Sequence, residues 1–317
     1  MKIWNKTQLI NRLEKEGLHF SQFSLTHEGN YTTDDADWNY KDVPHLHHIH
    51  QLVEATFATM TDKLITTINV QSVFGLKLPL CVVNYESGKN EQTYFTSWLF
   101  FVLIVQTKYV ELGECKTRVV TTYHVGSPRL LKWCFPLIRF SIKRNYKDLM
   151  SGDIPMRERR GKLRSWGYSF HKDTDTYSFP KTMEIMQENA LPPKTITEPY
   201  QIQINDKLPH NGEYFHGRDD HLGLRLVRKD SELYVFSRMC MHEGASLDSS
   251  TCSKEMKLKC PWHGRLHAPL ACFKLNENKS QMVKTNGLQM EMTNHLLMVK
   301  EIKTHSTKLD CETANVT

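Results

Sequence analysis

The segments "CMHEGASL", residues 240–247, and "CPWHGRLHAPL", residues 260–270, decide how the last third of the chain folds. Each carries one cysteine and one histidine, as Cys240-x-His242 and Cys260-x2-His263, with seventeen residues between the two pairs. Two such pairs on tight loops offer four metal ligands at one point. Zinc accepts two cysteines and two histidines, but zinc fingers usually group the cysteines together and the histidines together. The interleaved order favours a [2Fe–2S] centre in which two cysteines bind one iron and two histidines bind the other.

The residues around these pairs support the same interpretation. Gly244 and Gly264 follow the ligands, where the backbone must approach the cluster closely and where a positive φ is needed. Pro261 stiffens the second loop. The whole segment "CPWHGRLHAPLACFKL", residues 260–275, closely resembles Rieske domains. The resemblance implies a cluster bound by Cys240, His242, Cys260 and His263.

The resemblance also distinguishes branches of the Rieske domains. High-potential members in respiratory complexes carry an additional cysteine on each loop and a serine near the cluster. This sequence has Ala245, Trp262 and Arg265 in those places. Fewer hydrogen bonds to the cluster imply a lower reduction potential. The sequence is therefore similar to the ferredoxin and oxygenase branch.

The composition limits the class of protein. Of 317 residues, 39% are apolar and 24% are charged, as in soluble globular proteins. The net charge of +6 is too small to indicate nucleic-acid binding, and no recognition motif accompanies it. The longest apolar run, "WLFFVLIV", is too short to span a bilayer. The sequence shows no signal-peptide pattern and no disulfide framework, so we expect a cytoplasmic protein without a membrane span.

A pass along the chain predicts an α+β protein. Segments between residues 64 and 125 are rich in β-branched and aromatic residues and are separated by turn signals, which predicts an antiparallel meander. A helix is predicted from Pro44 through residue 60. Residues 127–150 are expected to form a helix that starts at a Ser-Pro signal, with a further helix after "SGDIP", residues 151–155. A hairpin of short strands is expected at residues 222–240.

The meander followed by a long helix resembles the helix-grip fold of the START and Bet v 1-like superfamily. That superfamily includes the catalytic domain of Rieske non-haem iron oxygenases, whose helical D-x2-H-x4-H signature precedes a later carboxylate ligand. In "DVPHLHHIH", residues 42–50, Asp42, His45 and His50 fit this spacing, and "GDIPMRE" supplies Asp153. The resemblance implies that His45, His50 and Asp153 hold a mononuclear Fe(II), with open positions for oxygen and substrate. It assigns to Asp42 a bridge between a Rieske histidine and an iron-ligand histidine.

Several alternatives remain open at this stage. His45 and His50 point in different directions on an ideal helix, so their convergence requires an irregular turn. Asp153 could instead cap a helix before a proline, and Asp148 is a rival third ligand. His47 and His48 have no assigned role. The metal-free alternative is a helix-grip domain in which these histidines cap a helix or line a cavity.

The predicted domains are a helix-grip catalytic domain at 1–188, a proline-rich linker at 189–199, a small all-β Rieske domain at 200–303 and a polar tail at 304–317. The oxygenases that the chain resembles mostly place the Rieske domain first, so this order is reversed. Their cluster serves the iron of a neighbouring subunit, which implies a ring-shaped homotrimer.

The sequence thus indicates a Rieske non-haem iron mono- or dioxygenase that oxidises a small apolar organic substrate. No FAD- or NAD-binding motif is present, so electrons are expected from a ferredoxin or a flavin reductase. The basic residues between 139 and 164 are interpreted either as a docking site for such an acidic partner or as a solvated helix face. The alternative function is a redox-sensing or electron-transfer protein that has a ligand-binding domain and no catalytic iron.

Overall fold

Seven antiparallel strands form the sheet of the N-terminal part. The computed structural model describes residues 6–50, 53–61, 64–73, 76–98, 100–170, 199–204, 208–209, 211–277, 279–285 and 287–301. The strands are β1 (Leu18–Gly29), β2 (Val53–Thr61), β3 (Leu64–Val73), β4 (Leu76–Gly88), β5 (Glu91–Trp98), β6 (Phe101–Gly113) and β7 (Lys116–Pro128). Their order in the sheet is β1-β7-β6-β5-β4-β3-β2. Strands β2 to β7 therefore form a meander, and β1 pairs with its last strand.

Four helices accompany this sheet in the described residues. They are α1 (Lys6–Lys15), α2 (Thr33–Lys41), the single turn α3 (Leu46–Ile49) and the long α4 (Phe135–Ser165). A 3-10 turn at Val43–His45 leads into α3, and a 3-10 helix at Arg129–Cys134 leads into α4. None of the helices in the described parts of the chain is long and apolar enough to cross a membrane.

Helix α4 packs along the sheet through an apolar side. Phe135, Ile138 and Ile142 contact a core formed by Phe23, Tyr123 and Val125. Gly161, further along the helix, lets α4 pack closely against the backbone of Asn30, since a Cβ at this position would lie 2.3 Å from the Asn30 carbonyl oxygen. This close approach fixes the position of α4 near Gly161.

The C-terminal part is built from short strands. They are β8 (Tyr200–Gln203), β9 (Glu213–His216), β10 (Leu224–Lys229), β11 (Glu232–Ser237), β12 (Leu258–Lys259), β13 (Leu266–His267), β14 (Ala271–Lys274), β15 (Gln281–Thr285), β16 (Leu288–Thr293) and β17 (Leu296–Glu301). They form sheets in the orders β14-β11-β10-β9, β12-β13 and β15-β16-β17-β8. The apolar core includes Leu226, Val235, Phe273 and Met290. Buried Arg225 supports the loop after β11 by donating to the carbonyl oxygens of Leu247 and Ser250 at 2.7 Å.

The described chain divides into two compact units. The first comprises the N-terminal part together with two short loops, Met241–Ala245 and Cys260–Arg265. The second comprises the remaining C-terminal segments. The two loops that carry His242, Cys260 and His263 are therefore part of the same unit as the seven-stranded sheet.

The predicted fold class is confirmed: an antiparallel sheet with a long C-terminal helix precedes an all-β region. The predicted domain boundaries stay predictions, because most of the linker and the whole tail lie outside the described residues.

The predicted helix from Pro44 to residue 60 was wrong beyond Ile49. Residues 53–61 form β2 and pair with β3 across a short connection. The β-branched residues of this segment suit a strand, and the available sheet edge outweighed the helical pattern.

The predicted interruption at residues 151–155 was also wrong. Helix α4 runs unbroken through Pro155. Pro155 and Ser151 are both exposed, so the ring meets solvent and water reaches the carbonyl group that proline leaves without its helical donor.

Candidate metal centres

The histidine-rich segment is an irregular helical turn. Asp42 ends α2 with its N–H bonded to the Trp38 carbonyl oxygen at 2.8 Å, and Pro44 opens the 3-10 turn that follows. Helix α3 then ends after one turn at His50, whose backbone is extended (φ −99°, ψ 110°). The change of helix type and this early exit bring the rings of His45 and His50 to 5.3 Å between centroids.

Asp153, on the inner side of α4, completes a buried triad with these histidines. Its Oδ1 lies 3.0 Å from Nε2 of His50 and 3.3 Å from Nε2 of His45. None of these three atoms has a hydrogen-bond partner among the described residues, although all three are buried. Buried polar atoms without partners are rare, so the residues fit a shared cation. The rival ligand Asp148 is exposed and lies outside this group.

The charges in the triad favour a cation. Burial acts to raise the pKa of Asp153, but the neighbouring His45 and His50 and the charge of Arg157 outweigh it and hold the pKa well below its usual range. Arg157 is itself fully buried, with its Nη2 3.5 Å from Asp153 Oδ2 and its Nε donating to Asn39 Oδ1 at 2.8 Å. The guanidinium lies over the Tyr40 ring, 4.5 Å from its centroid. Arg157 thus holds one carboxylate oxygen and leaves Oδ1 toward the histidines.

Asp42 lies between the triad and a histidine of the second ligand loop. Its Oδ2 is 2.8 Å from Nε2 of His263 and 3.4 Å from Nδ1 of His45. The carboxylate is almost completely buried. Burial acts to raise the pKa of Asp42, but the two histidines outweigh it and lower that pKa. Asp42 is therefore ionised: it accepts from His263 and lies close to the ring of His45.

The two ligand loops fit a [2Fe–2S] cluster. The rings of His242 and His263 lie edge to face, 5.0 Å apart, and the Nδ1 atoms of both are buried with no hydrogen-bond partner in the described residues. Burial and the neighbouring His263 lower the pKa of His242 to about 4, which keeps that ring in the neutral form that binds metals. Cys260 is buried beside them, and Cys240, two residues before His242, is also buried.

Glycine is required in both loops. Gly244 and Gly264 have φ values of +89° and +66°, and a Cβ on Gly244 would lie 2.3 Å from Leu163 Cδ1. The second loop is closed by the N–H of Gly264, which donates to the Cys260 carbonyl oxygen at 2.9 Å. These positions agree with the reason given for the two glycines from the sequence.

Arg160 is a buried residue beside the first ligand loop that the sequence interpretation missed. Its Nε donates to Asp35 Oδ1 at 3.1 Å, and its Nη1 donates to Glu243, the residue directly after His242. The guanidinium lies between the rings of Trp38 and Phe170, at 4.0 and 3.9 Å from their centroids. Arg160 therefore fixes the first ligand loop to α4. Burial raises the pKa of Glu243 to about 7, against the Arg160 charge.

The basic residues between 139 and 164 were interpreted as a docking site or a solvated helix face. This interpretation is wrong for two of them. Arg157 and Arg160 are both buried. The signal available in the sequence was their spacing from Asp153, which places all three on nearby positions of one helical side.

A cavity of about 200 Å³ opens beside the triad, between α4 and the sheet. Its walls combine apolar residues with hydroxyl and amide groups: Ile65, Val82 and Val105, with Thr67, Asn84, Tyr94, Thr107 and Thr121. Asp42, His45, His50 and Asp153 line it at one side. The cavity thus suits a small molecule with a mainly apolar body.

A chain of hydrogen bonds fixes the amide of Asn84. The carboxylate of Asp37 accepts from Gln92 Nε2 at 2.7 Å, so Gln92 Oε1 must point the other way. That oxygen accepts from Asn84 Nδ2 at 2.9 Å and from the Tyr94 hydroxyl at 3.0 Å. Asn84 Oδ1 is then left as an acceptor with no partner in the described part of the chain.

Comparisons with known proteins find matches for parts of the chain. A family model for the Rieske [2Fe-2S] domain matches residues 196–285. This part of the chain is a Rieske domain, a match that implies a [2Fe–2S] cluster and suggests a role in iron–sulfur electron transfer. No curated protein matches the chain.

Solved structures resemble the N-terminal part. The protein TTHA0849 from Thermus thermophilus is 16% identical with a TM-score of 0.37, covering 43% of this chain and 95% of that one. A START superfamily protein from Mycobacterium smegmatis is 11% identical with a TM-score of 0.37, covering 43% and 97%. The Zhui aromatase/cyclase from Streptomyces sp. R1128 is 12% identical with a TM-score of 0.39, covering 45% and 96%. None of these low-scoring likenesses indicates an activity for this chain.

Proposed function

We propose that the protein is a Rieske non-haem iron oxygenase that oxidises a small organic substrate. The observation that carries the proposal is the position of Asp42. One carboxylate oxygen contacts both His263 of the cluster loop and His45 of the buried triad. A Rieske domain that only relays electrons to other proteins has no need of a buried bridge to a second set of metal ligands.

In this proposal His45, His50 and Asp153 hold a mononuclear Fe(II), and Cys240, His242, Cys260 and His263 hold the cluster. When bound, the cluster supplies electrons received from a ferredoxin or flavin reductase, and the iron supplies the activation of oxygen. Two imidazoles and one carboxylate leave coordination positions open for this purpose.

The surrounding residues orient the ligands. Asp42 accepts from His263 Nε2 and so leaves His263 Nδ1 for the cluster. The same carboxylate faces His45 Nδ1 and leaves His45 Nε2 for the iron. Arg157 fixes the second oxygen of Asp153. Partners of this kind set the tautomer and direction of metal ligands.

The cavity binds the substrate and excludes bulk water from the site. Its aliphatic walls favour an apolar body. Since Asp37 and Gln92 hold Asn84 with its Oδ1 as an unused acceptor, the preferred substrate carries a hydroxyl or N–H donor that bonds to this oxygen. This refines the expected class of apolar substrate to an apolar molecule with one donor group.

Iron and acid-labile sulfide analysis of anaerobically purified protein tests the proposal. We expect three irons and two sulfides per chain, with a Rieske EPR signal after reduction. His50→Ala and Asp153→Asn are each expected to lower the content to two irons and leave the EPR signal unchanged. His48→Ala and Asp148→Asn are the matched controls and should retain three.

Two irons per chain in the unmodified protein, even after addition of Fe(II), would overturn the proposal. That result would favour the alternative, an electron-transfer or redox-sensing protein whose N-terminal cavity binds a ligand without chemistry.

A further inference from the structure

The start of α4 and the preceding 3-10 helix carry large apolar side chains that no other part of the described chain covers. Leu130 is 86% exposed, Trp133 67%, Leu137 65% and Phe140 68%. The opposite side of the same helix, with Phe135, Ile138 and Ile142, packs on the sheet. The segment is therefore apolar on two sides, and only one of them is used by the fold.

A hairpin at the same end of the sheet extends this surface. Strands β5 and β6 meet at the pair Trp98 and Phe101, and Val102 pairs with Gly126 close to the end of β7. The β5–β6 turn and the 3-10 helix therefore leave the sheet at the same end. Trp98 and Phe100, at that turn, are 48% and 65% exposed. We call the six exposed side chains from these two places the apolar end: Trp98, Phe100, Leu130, Trp133, Leu137 and Phe140.

The charges around the apolar end have one sign. Residues 129–147 contain six cations and no acidic residue. All six cations are exposed: Arg129, Lys132, Arg139, Lys143, Arg144 and Lys147. Large exposed apolar side chains grouped at one end of a sheet indicate an interaction site. The surrounding cations require an occupant with negative charge.

We propose that the apolar end docks the protein on the surface of an anionic lipid bilayer. Tryptophan, phenylalanine and leucine flanked by lysine and arginine are the composition of segments that lie in the interface of a membrane. The acyl region accepts protruding side chains from a helix and a hairpin without a matching pocket, and the anionic head groups attract the cations around them. The docking surface is independent of the proposed oxygenase activity.

Other occupants fit less well. A second copy of the chain would bring two sets of six cations together, which opposes association. An acidic protein would satisfy the charge, but it would need a concave apolar surface shaped to receive side chains that are about half exposed or more. The lipid surface satisfies both the apolar and the charged residues without such a requirement.

Sedimentation of the full chain with vesicles tests the proposal. The probes are phosphatidylcholine vesicles with and without phosphatidylserine. We expect binding that is about tenfold stronger when phosphatidylserine is present and that weakens as salt is added. Trp133→Ser combined with Phe140→Ser, and separately Lys143→Glu combined with Arg144→Glu, should each weaken binding about tenfold or more.

The controls are Met282→Ser, an exposed apolar residue of the second unit, and Lys254→Glu, an exposed cation there; both should bind as the unmodified chain does. All altered residues are exposed, so circular dichroism and the cluster spectrum will show that each variant is folded. Absence of vesicle binding, or equal binding by the variants, would overturn the proposal. Gel filtration and binding to an acidic ferredoxin then identify a second copy or an acidic protein as the occupant.

Discussion

His263 and Asp42 are joined by a hydrogen bond of 2.8 Å between Nε2 and Oδ2, although 221 residues separate them in the chain. Both residues lie in the same compact unit of one chain. The bridge from the cluster loop to the triad is thus complete without a second subunit. The ring-shaped homotrimer implied by the resemblance to oxygenases is not required for this connection.

A complementation experiment tests whether the bridge works within one chain. His45→Ala retains the cluster ligands, and His263→Ala retains the triad. We expect the reduced cluster of His45→Ala to reoxidise as slowly in an equimolar mixture with His263→Ala as it does alone, measured by stopped-flow absorption. Rapid reoxidation in the mixture would contradict this expectation and would show transfer between chains.

Asp42→Asn should slow electron delivery without removing either metal. The amide has the same shape but offers one acceptor oxygen and carries no charge, so it cannot orient both histidines. We expect reoxidation of the cluster to slow by about 10- to 100-fold, as is typical when the partner of a metal-bound histidine is lost. An unchanged rate, with iron and sulfide contents intact, would remove Asp42 from the pathway. Asp148→Asn is the control for the substitution.

Arg157→Lys should weaken the triad. Lysine keeps the charge but loses the planar fork that bonds Asn39 and Asp153 together. We expect a decrease in the free energy of unfolding of about 1–3 kcal/mol and a decrease in Fe(II) affinity of about 10- to 100-fold. Urea unfolding and Fe(II) titration measure the two effects. Arg139→Lys, an exposed position on the same helix, should change neither.

The preference for a donor group is measured by binding of 2-naphthol and 2-methoxynaphthalene, in which a methyl group replaces the donor hydrogen. Calorimetry should show naphthol binding about tenfold more tightly to the unmodified protein. Asn84→Leu should make the two affinities equal. Asp37→Asn should reduce the ratio as well, although Asp37 does not line the cavity, because Gln92 and Asn84 are then free to turn their amides. Ile65→Val, in the cavity wall, should leave the ratio unchanged.

His27 makes stability depend on pH. Burial and the nearby Arg157 lower the pKa of His27 to about 4 from an ordinary value of 6.5. Its Nε2 lies 3.0 Å from Nη1 of Arg157, so this nitrogen must accept and the ring must be neutral. The unfolded chain takes up a proton below pH 6.5 and the folded chain only near pH 4. Stability present above pH 6.5 is therefore lost as the pH falls through this window.

We expect the loss of stability between pH 6.5 and 4 to be about 1–2 kcal/mol smaller in His27→Gln than in the unmodified protein. The difference is modest because the partly exposed ring is screened by solvent. Urea unfolding at a series of pH values measures it. His19→Asn, at an exposed position of the same strand, controls for the loss of a histidine. Parallel pH profiles for His27→Gln and the unmodified chain would disprove the expectation.

The sequence predicted the sheet more successfully than the helices around it. The β-branched and aromatic segments between residues 64 and 125 carry their own turn signals, and local residues decide their structure. Local residues do not decide the structure of segment 53–61 in the same way, because its strand depends on pairing with β3. Pro155 similarly breaks a helix only when its neighbours need the missing hydrogen bond, and here solvent supplies a partner.

In the candidate site, too, local sequence patterns predicted some features, and other features depend on residues that are distant in sequence. The resemblance to the oxygenase signature and its spacing identified Asp42, His45, His50 and Asp153 as residues to consider. The convergence of the two histidines depends on the early end of α3, which no short pattern specifies. Arg157 and Arg160 were expected to be at the surface because arginine rarely is buried. Their burial depends on Tyr40, Trp38 and Phe170, which are distant in sequence.

The unbroken helix α4 carries Asp153 of the triad and Arg160, which holds the loop of His242. Seven residues separate them, which is close to two turns, or about 10.5 Å along the axis. The helix therefore sets the distance and the relative rotation between the triad and the loop of His242. Insertion or deletion of one residue between them would rotate one centre by about 100° relative to the other. We expect this stretch to tolerate a substitution that preserves side-chain shape but not a change of length. A one-residue insertion should lose iron or cluster, while Glu158→Gln, at a half-buried position, should retain both.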